Sequence, residues 1–249
     1  MIKFINIGSG SKGNATLIYN EDTLIQVDMG VSLRRVRESL SLLNKDVKDI
    51  QGLLITHDHN DHIRNVFYLD GVSTYTAEGN LEHIDFIIEP FESLQIGSFD
   101  IVPLRTSHDA TNPIGFLIMD KDESLLYMTD TGMIPEESLP YMKNHDYYII
   151  ESNHDLTMLR NSNRPKCLKD RIRGDFGHLS NKDSAVYMSQ LVGDKTKAIY
   201  LAHLSEECNT PEKAVDTYWK NFKKLGVKYS GPIIPLCQNK ITRGGHDEN

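Results

Sequence analysis

The stretch Thr56-His57-Asp58-His59-Asn60-Asp61-His62 concentrates metal-binding side chains directly after an apolar run. That run, residues 52–55, is typical of a buried strand. Four side chains within six residues can bind a metal ion, namely His57, His59, Asp61 and His62. Because the chain has only ten histidines among 249 residues, three in one short motif make a merely polar surface loop a poor alternative.

The spacing of these residues leaves room for two ions. Residues two apart in a strand share a face, so His57 and His59 can point at one ion. Asp61 and His62 follow in a turn, where the backbone can direct them toward a second ion. Imidazole nitrogens with a carboxylate suit Zn, Mn or Fe, whereas an all-oxygen site would suggest Mg or Ca. The rest of the chain is expected to supply the remaining ligands.

Ligand-type residues also stand at the C-terminal ends of other apolar segments. The pattern occurs six times along the chain, at Asp28, His57, His108, Asp130, Glu151 and His203. Because strand ends converge at one edge in α/β enzymes, these six ends predict one shared site. Asp28 is expected to orient a ligand histidine through a hydrogen bond, with a turn or capping role as the alternative.

Length and composition are those of a globular protein. With 39% hydrophobic and 25% charged residues, the chain can form a full core. Its length fits one large domain or two small ones, and no linker or low-complexity segment interrupts it. We therefore predict a single domain over residues 1–249. No apolar run approaches a membrane span, and the first residues lack the features of a signal peptide.

The cysteines and the net charge indicate in which cellular compartment the protein works and which kinds of partner it can bind. Three widely spaced cysteines, Cys167, Cys208 and Cys237, favour reduced thiols and a cytoplasmic protein over a disulfide framework or a thiolate zinc site. The formal charge of −8 argues against a protein that coats nucleic acid. It does not exclude a nuclease, because divalent ions can neutralise phosphates at the site itself.

One dense basic run stands out in this acidic chain. It lies within residues 160–173 and contains Arg160, Arg164, Lys166, Lys169, Arg171 and Arg173. A solvated helix face is one interpretation. The other is a set of contacts to substrate phosphates beside the metal ions.

The glycine-rich segment 8–14 also has two interpretations. Its backbone N–H groups could hold a phosphate, or it could be a simple tight connection between strands. It is not a P-loop, because no Gly-Lys-Ser/Thr leads into a helix. At the other end of the chain, residues 243–249 are expected to form a frayed polar tail.

Together these residues resemble the metallo-β-lactamase fold superfamily. The order His57-x-His59-x-Asp61-His62, then His108, Asp130 and His203, matches across nearly the whole chain. The resemblance implies an α/β fold, an αββα sandwich of two mixed β-sheets flanked by helices, with a dinuclear metal site at one edge of the sheets.

The resemblance also implies how the ligands divide. His57, His59 and His108 would hold the first ion, and Asp61, His62 and His203 the second, with Asp130 bridging both. A bridging carboxylate without a cysteine at that position resembles the phosphodiesterase and glyoxalase II branches. The expected cofactors are two divalent ions, Zn or Mn with Fe possible, and the expected nucleophile is a hydroxide bridging them.

Further segments are similar to the YycJ (WalJ) family of bacterial proteins. They are Glu151-Ser152-Asn153-His154-Asp155, Gly177-His178-Leu179-Ser180-Asn181, Tyr200-Leu201-Ala202-His203-Leu204-Ser205 and the glycine-rich segment 8–14. This similarity implies a metal-dependent nuclease acting on DNA from 5′ ends. Asn65 departs from the glycine common there, and the segment 79–92 is shorter than is usual in that family, which bears on substrate identity.

The same resemblance suggests which residues assist the leaving group. His178 takes the place of a histidine in a His-Ser/Thr motif of the tRNase Z branch, where a glutamate and that histidine are thought to assist departure. Glu151 and His178 are thus candidates for protonating the leaving oxygen, with His154 as a substitute. The alternative for His178 is a histidine at a helix entry that packs on Ser180.

The leading hypothesis is a dinuclear-metal phosphodiesterase, a DNA exonuclease of the YycJ kind. The alternative is a small-molecule metallohydrolase acting on a cyclic nucleotide, thioester or lactone at the same site. A scaffold without metal is disfavoured because every ligand position is filled. The interval between Asp130 and His203 is too short for the β-CASP insertion of RNase J-type enzymes.

Overall fold

The structure is a computed structural model that describes residues 1–246. Two seven-stranded sheets form its centre. The strands are β1 (Lys3–Gly8), β2 (Ala15–Tyr19), β3 (Leu24–Val27), β4 (Gly52–Leu54), β5 (Thr74–Thr76), β6 (Phe86–Ile87), β7 (Leu94–Ile96), β8 (Phe99–Arg105), β9 (Ile114–Met119), β10 (Ser124–Met128), β11 (Tyr147–Glu151), β12 (Ala198–Ala202), β13 (Ile233–Pro235) and β14 (Thr242–Gly245). Their order is β14-β1-β2-β3-β4-β5-β6 in one sheet and β13-β12-β11-β10-β9-β8-β7 in the other.

Both sheets are mixed, and their parallel parts position the site. In the first sheet β3, β4, β5 and β6 pair in parallel, and in the second β10, β11, β12 and β13 do so. The other pairs are antiparallel. Because parallel strands end at the same edge, the residues after β3, β4, β10, β11 and β12 meet there.

Helices cover the outer faces of the sheets. They are α1 (Leu33–Ser41), α2 (Asn60–Ile63), α3 (Leu156–Asn161), α4 (Lys166–Arg173), α5 (Asn181–Leu191) and α6 (Pro211–Leu225). Helices α5 and α6 each begin with a side-chain cap. Ser180 Oγ accepts a hydrogen bond from the Asp183 N–H at the start of α5, and Thr210 Oγ1 accepts one from the Lys213 N–H at the start of α6. Pro211 occupies the first turn of α6.

Three apolar layers separate these elements. Side chains of both sheets, among them Phe4, Leu54, Phe116 and Tyr200, share a buried cluster between the sheets. A second cluster packs α1 on the first sheet, and a third packs α5 and α6 on the second. Burial of each large side chain contributes roughly 1.5–3 kcal/mol. The predicted αββα sandwich of two mixed sheets is confirmed.

The shared cluster between the sheets supports the predicted single domain over residues 1–249, which stays a prediction. No helix among residues 1–246 has the length and apolar character needed to cross a membrane.

Two local predictions are wrong in part. The tail expected to fray from Arg243 instead forms β14, which pairs antiparallel with β1 from Thr242 to Gly245. Residues 247–249 of that prediction lie outside the described residues. The basic run is divided between α3 and α4, because Pro165 precedes α4 and cannot continue the preceding helix.

One buried carboxylate ties the chain ends to the second sheet. Glu123 accepts hydrogen bonds from the Ile2 N–H at 2.7 Å, the Tyr147 hydroxyl at 3.1 Å and Lys197 Nζ at 2.7 Å. His246 Nδ1 donates to the same carboxylate at 2.9 Å. Burial opposes ionisation, but these hydrogen bonds lower the pKa of Glu123.

We predict that Glu123→Ala lowers the free energy of unfolding by about 3 kcal/mol, because it leaves buried donors unpaired. The neighbouring exposed Asp122→Ala is the matched control and should change it by less than about 0.5 kcal/mol. Since the pKa of Glu123 is lowered on folding, its contribution is present above about pH 4.3 and lost as the pH falls. Urea unfolding at two pH values measures both effects, and equal losses in the two variants would contradict this role.

Candidate metal centre

Three histidines meet where β4 ends and the chain turns into α2. His57 is buried and His59 is half-buried, and their ring centroids lie 4.7 Å apart. His108, which follows β8, completes the group at 5.2 Å from His57 and 4.9 Å from His59. One nitrogen of each ring lies within 4.8 Å of the others, which is close enough for all three to bind one ion.

A second group lies beside the first. Asp61 Oδ2 is 3.7 Å from His62 Nε2 and 3.8 Å from His203 Nε2. His203 comes from the end of β12 in the second sheet, whereas Asp61 and His62 belong to α2. The structure thus assembles both groups of ligand candidates that the sequence predicts.

Asp130 lies between the two groups. Its Oδ2 is 3.3 Å from His62 Nε2, and its Oδ1 is 3.2 Å from His203 Nδ1 and 4.0 Å from His108 Nε2. Burial opposes ionisation, but His203 and His62 hold the pKa of Asp130 well below its usual value. A buried carboxylate in this place can reach ions on either side.

Asp28 orients the buried ring of His62. Its Oδ2 accepts a hydrogen bond from His62 Nδ1 at 2.7 Å, and its Oδ1 accepts one from the Thr56 N–H at 2.9 Å. Burial alone would lower the pKa of His62, but Asp28 and Asp130 raise it to about 10. This is the orienting contact expected of Asp28, and it leaves His62 Nε2 facing the cluster.

Three other histidines follow the same arrangement, whereas His59 Nε2 lies 3.2 Å from the Asp109 carbonyl oxygen. His57 Nδ1 lies 3.0 Å from Thr56 Oγ1, and His108 Nδ1 donates to the Gly177 carbonyl at 2.9 Å. His203 Nδ1 donates to Glu151 Oε1 at 3.0 Å. Each of these Nδ1 contacts leaves Nε2 available, as is usual for histidines that bind a metal.

Unsatisfied buried atoms show that the cluster fits metal ions. Among the described residues, His57 Nε2, His203 Nε2 and Asp130 Oδ2 are buried and make no hydrogen bond. Such atoms are costly unless a ligand satisfies them. Imidazole nitrogens with carboxylate oxygens suit Zn, Mn or Fe, so the donor set agrees with the predicted divalent ions.

The backbone is strained at three strand ends that form the cluster. Asp28, Asp130 and His203 have φ angles of 58°, 54° and 55°, in the left-handed region that side chains other than glycine rarely adopt. Each such residue costs about 1–3 kcal/mol. The left-handed turn redirects each side chain at the point where its strand leaves the sheet.

The buried Glu151 and the half-buried His178 form a pair beside the cluster. Glu151 Oε1 accepts a hydrogen bond from His178 Nδ1 at 2.8 Å, and Oε2 accepts one from the Thr131 N–H at 2.8 Å. Burial opposes ionisation, but His178 and His203 lower the pKa of Glu151 to about 2. Glu151 is therefore an anion that holds a proton on His178 Nδ1.

His154, the predicted substitute for His178, lies away from the mouth of the site. It is buried beside Ser180, and neither ring nitrogen has a partner among residues 1–246. Burial is the main cause that lowers the pKa of His154 to about 4, so the ring is neutral at physiological pH. The exposure of His178 at the mouth favours it over His154 as a proton donor.

A cavity of about 230 Å³ opens onto the cluster. Its walls include Arg164 and Arg171 from the basic run. Arg164 Nε lies 3.0 Å from Glu207 Oε2, and Arg171 Nε lies 2.5 Å from Asp109 Oδ2. The mouth therefore combines ligand candidates with two guanidinium groups.

The other basic residues of the run do not line this cavity, namely Arg160, Lys166, Lys169 and Arg173. Lys169 Nζ donates to the carbonyls of Arg160 and Ser162, so its role is to hold the connection between α3 and α4.

Sequence reasoning missed three residues that position the cluster. Asn14 Nδ2 lies 2.9 Å from His62 Nε2 and 3.3 Å from Asp61 Oδ2. Thr56 contacts Asp28, and Asp109 accepts the hydrogen bond of Arg171. Asn14 ends the glycine-rich segment singled out in the sequence, which was the only signal for it.

Comparisons with known proteins agree with this geometry. A model of the beta-lactamase superfamily domain matches residues 23–203. Exodeoxyribonuclease WalJ of Streptococcus pneumoniae is 35% identical over 228 residues, which cover 85% of each chain. This chain belongs to the WalJ/YycJ family of the metallo-β-lactamase superfamily. Another member of that family, exodeoxyribonuclease YycJ of Bacillus anthracis, is 31% identical over 227 residues and 86% of each chain.

A solved structure shows the same fold. The metallo-beta-lactamase fold protein YhfI from Bacillus subtilis superposes with a TM-score of 0.73 over 98% of this chain and 99% of its own, at 18% identity. The resemblance stated from the sequence is confirmed, and the WalJ/YycJ member described here is a metal-dependent hydrolase.

We predict that Asp28→Asn weakens the affinity for Zn by about 10–100-fold, because His62 loses the anion that orients it. Asp146→Asn is the matched control, since Asp146 is also buried but bonds to Lys197 and Ser124 at the start of β11. Calorimetric titration of the metal-depleted proteins measures both affinities. Equal affinities in wild type and Asp28→Asn would show that this contact does not matter for binding.

Proposed function

We propose that the protein is a two-metal phosphodiesterase that removes nucleotides from the ends of DNA. The observation that carries this proposal is the presence of Arg164 and Arg171 at the mouth of the ligand cluster. Paired guanidinium groups are suited to phosphate oxygens. The relatives named exodeoxyribonuclease add support for DNA as substrate and for cleavage at its ends.

The ligand sets of the proposed centre follow the two groups in the structure. His57, His59 and His108 would hold the first ion, and Asp61, His62 and His203 the second, with Asp130 bridging them. Zn or Mn suits these donors, and Fe is possible. When bound, such ions supply positive charge to the phosphate oxygens and acidify the attacking water.

The two arginines bind and orient the scissile phosphate. In the free protein Arg164 pairs with Glu207 and Arg171 with Asp109. Pairs exposed to this degree contribute only about 0.2–1 kcal/mol, so a phosphate can take the place of either carboxylate at low cost. The cavity of about 230 Å³ gives room for a phosphodiester group between these side chains and the cluster.

The Glu151–His178 pair protonates the leaving oxygen. His178 Nδ1 is held by the Glu151 carboxylate, and among the described residues its Nε2 has no hydrogen-bond partner. The ring is partly exposed at the cavity, so Nε2 can give a proton to the oxygen that departs from phosphorus. The Glu151 carboxylate fixes the orientation of the ring through its hydrogen bond to Nδ1.

The protein is proposed to work in the cytoplasm. Cys167, Cys208 and Cys237 are all free thiols, which suits a reducing compartment.

The activity is tested with end-labelled DNA and RNA, with bis-p-nitrophenyl phosphate and with a thioester. We expect the Mn- or Zn-loaded protein to shorten DNA from its ends and to cleave bis-p-nitrophenyl phosphate. Asp61→Ala should abolish both reactions with an unchanged melting profile, since Asp61 is partly exposed at the site. Thioester hydrolysis without phosphodiester cleavage would favour the small-molecule alternative and exclude this proposal.

The proton donor is tested by changing the leaving group. His178→Ala should lower kcat on DNA by about 10²–10⁴-fold, because an alkoxide needs protonation when it leaves. The loss on bis-p-nitrophenyl phosphate should be far smaller, since p-nitrophenolate leaves as an anion. Glu151→Gln should lower both activities, because Glu151 also holds the ligand candidate His203, so His178→Ala is the decisive variant and His154→Ala is the control histidine. Equal losses on both substrates in His178→Ala would exclude proton donation by His178.

A further inference from the structure

The apex of the glycine-rich turn lies at the mouth and has no role in the scheme above. Ser11 lines the cavity that contains Asp130 and His178, and Lys12 follows it on the surface. Within residues 1–246, neither the Ser11 hydroxyl nor its backbone N–H has a hydrogen-bond partner. The apex therefore offers two free donors and a cation beside the metal centre.

The turn depends on glycines that other residues could not replace without collision. Gly10 and Gly13 have φ angles of 140° and 137°, and a Cβ on Gly13 would lie 2.4 Å from the Gly30 carbonyl oxygen. Gln238 bridges the apex, since its Oε1 accepts from the Lys12 N–H at 2.7 Å and its Nε2 donates to the Gly13 carbonyl at 2.9 Å. Gln238 therefore holds the backbone of the turn on the C-terminal side of Ser11.

Both arms of the turn are bonded to metal-ligand segments. Ser9 Oγ accepts from the His203 N–H at 2.7 Å. The Asn14 N–H donates to the Asp61 carbonyl at 2.8 Å. The apex consequently keeps a constant position relative to the ligands from both sheets.

The cation at the apex already forms an ion pair with a carboxylate. Lys12 Nζ lies 2.5 Å from Glu206 Oε2, with side-chain exposures of 65% and 51%. The next residue, Glu207, pairs with Arg164. Lys12 and Arg164 therefore flank one short acidic segment, and of the two only Arg164 lines the cavity.

We propose that Ser11 and Lys12 form a second phosphate subsite, which binds the DNA phosphate next to the scissile one. In the free protein Glu206 forms an ion pair with Lys12, and the incoming phosphate displaces the Glu206 carboxylate. This inference rests on the proposed nuclease function and adds the contact that lets the enzyme recognise a polynucleotide rather than a single phosphodiester.

Binding without added metal tests the subsite apart from catalysis. The anisotropy of a labelled single-stranded oligonucleotide gives the dissociation constant of the full chain. Lys12→Gln should weaken binding about fivefold and reduce the salt slope by about one, as for the loss of one phosphate contact. Glu206→Gln should strengthen binding, because it removes the competing anion. Ser11→Ala should weaken binding with an unchanged salt slope.

The exposed pair Lys220–Asp216 on α6 provides matched controls, with exposures of 73% and 58%. Lys220→Gln and Asp216→Asn should leave the affinity unchanged. In the Lys12→Gln background, Glu206→Gln should no longer strengthen binding, because the carboxylate acts through Lys12. A gain that persists there, or a salt slope that Lys12→Gln leaves unchanged, would overturn the subsite.

Substrates with one neutral phosphate locate the contact along the strand. A methylphosphonate next to the scissile position should raise KM for the wild type about fivefold and add little to the loss in Lys12→Gln. Additive losses would overturn the assignment. A wild type that binds DNA through Lys12 but does not cleave it would refute the proposed function alone, and one that does not bind DNA would refute the subsite.

Discussion

Asp130 lies just beyond β10 with its carboxylate removed from water and surrounded by imidazoles. An isolated carboxylate in such a place would be too costly to bury, so its stability depends on the cations around it. His62 and His203 supply that charge in the protein itself, and divalent ions would supply more. The six strand ends meet where they do because this buried charge needs partners from both sheets.

Two other buried carboxylates are likewise paired with imidazole rings. Asp28 holds the ring of His62, and Glu151 holds the rings of His203 and His178. Each carboxylate fixes a protonated Nδ1 and thereby directs Nε2 toward the centre of the cluster or the mouth. The alternation of anion and imidazole from Asp28 to His178 makes a continuous network in which the positions of the ligand candidates and of His178 depend on one another.

The sequence was sufficient for the ligand candidates because each one follows an apolar strand, either at its end or, for His59, Asp61 and His62, in the short motif after β4. Strand periodicity and the convergence of parallel strands then place them together without any knowledge of long-range contacts. Asn14 and Thr56 could not be found this way, since their roles arise from contacts between segments distant in the chain. The pairing of β14 with β1 was equally invisible, because Thr242–Gly245 has two glycines and little strand character alone. The density of basic residues in 160–173 did not reveal which of them line the cavity. Only Arg164 and Arg171 of this run do so, and their positions depend on the helix break before Pro165.

The left-handed backbone at Asp28, Asp130 and His203 lowers the stability of the fold while it places side chains that the site needs. Glycine adopts that conformation without strain. At these three points glycine would therefore fit the backbone best, but it has no side chain that could bind a metal ion or orient a ligand. Glycine at these points would therefore relieve backbone strain and at the same time remove two ligand candidates and the carboxylate that orients His62. A homologue with glycine at all three strand ends would be expected to keep the sandwich and to have become a scaffold.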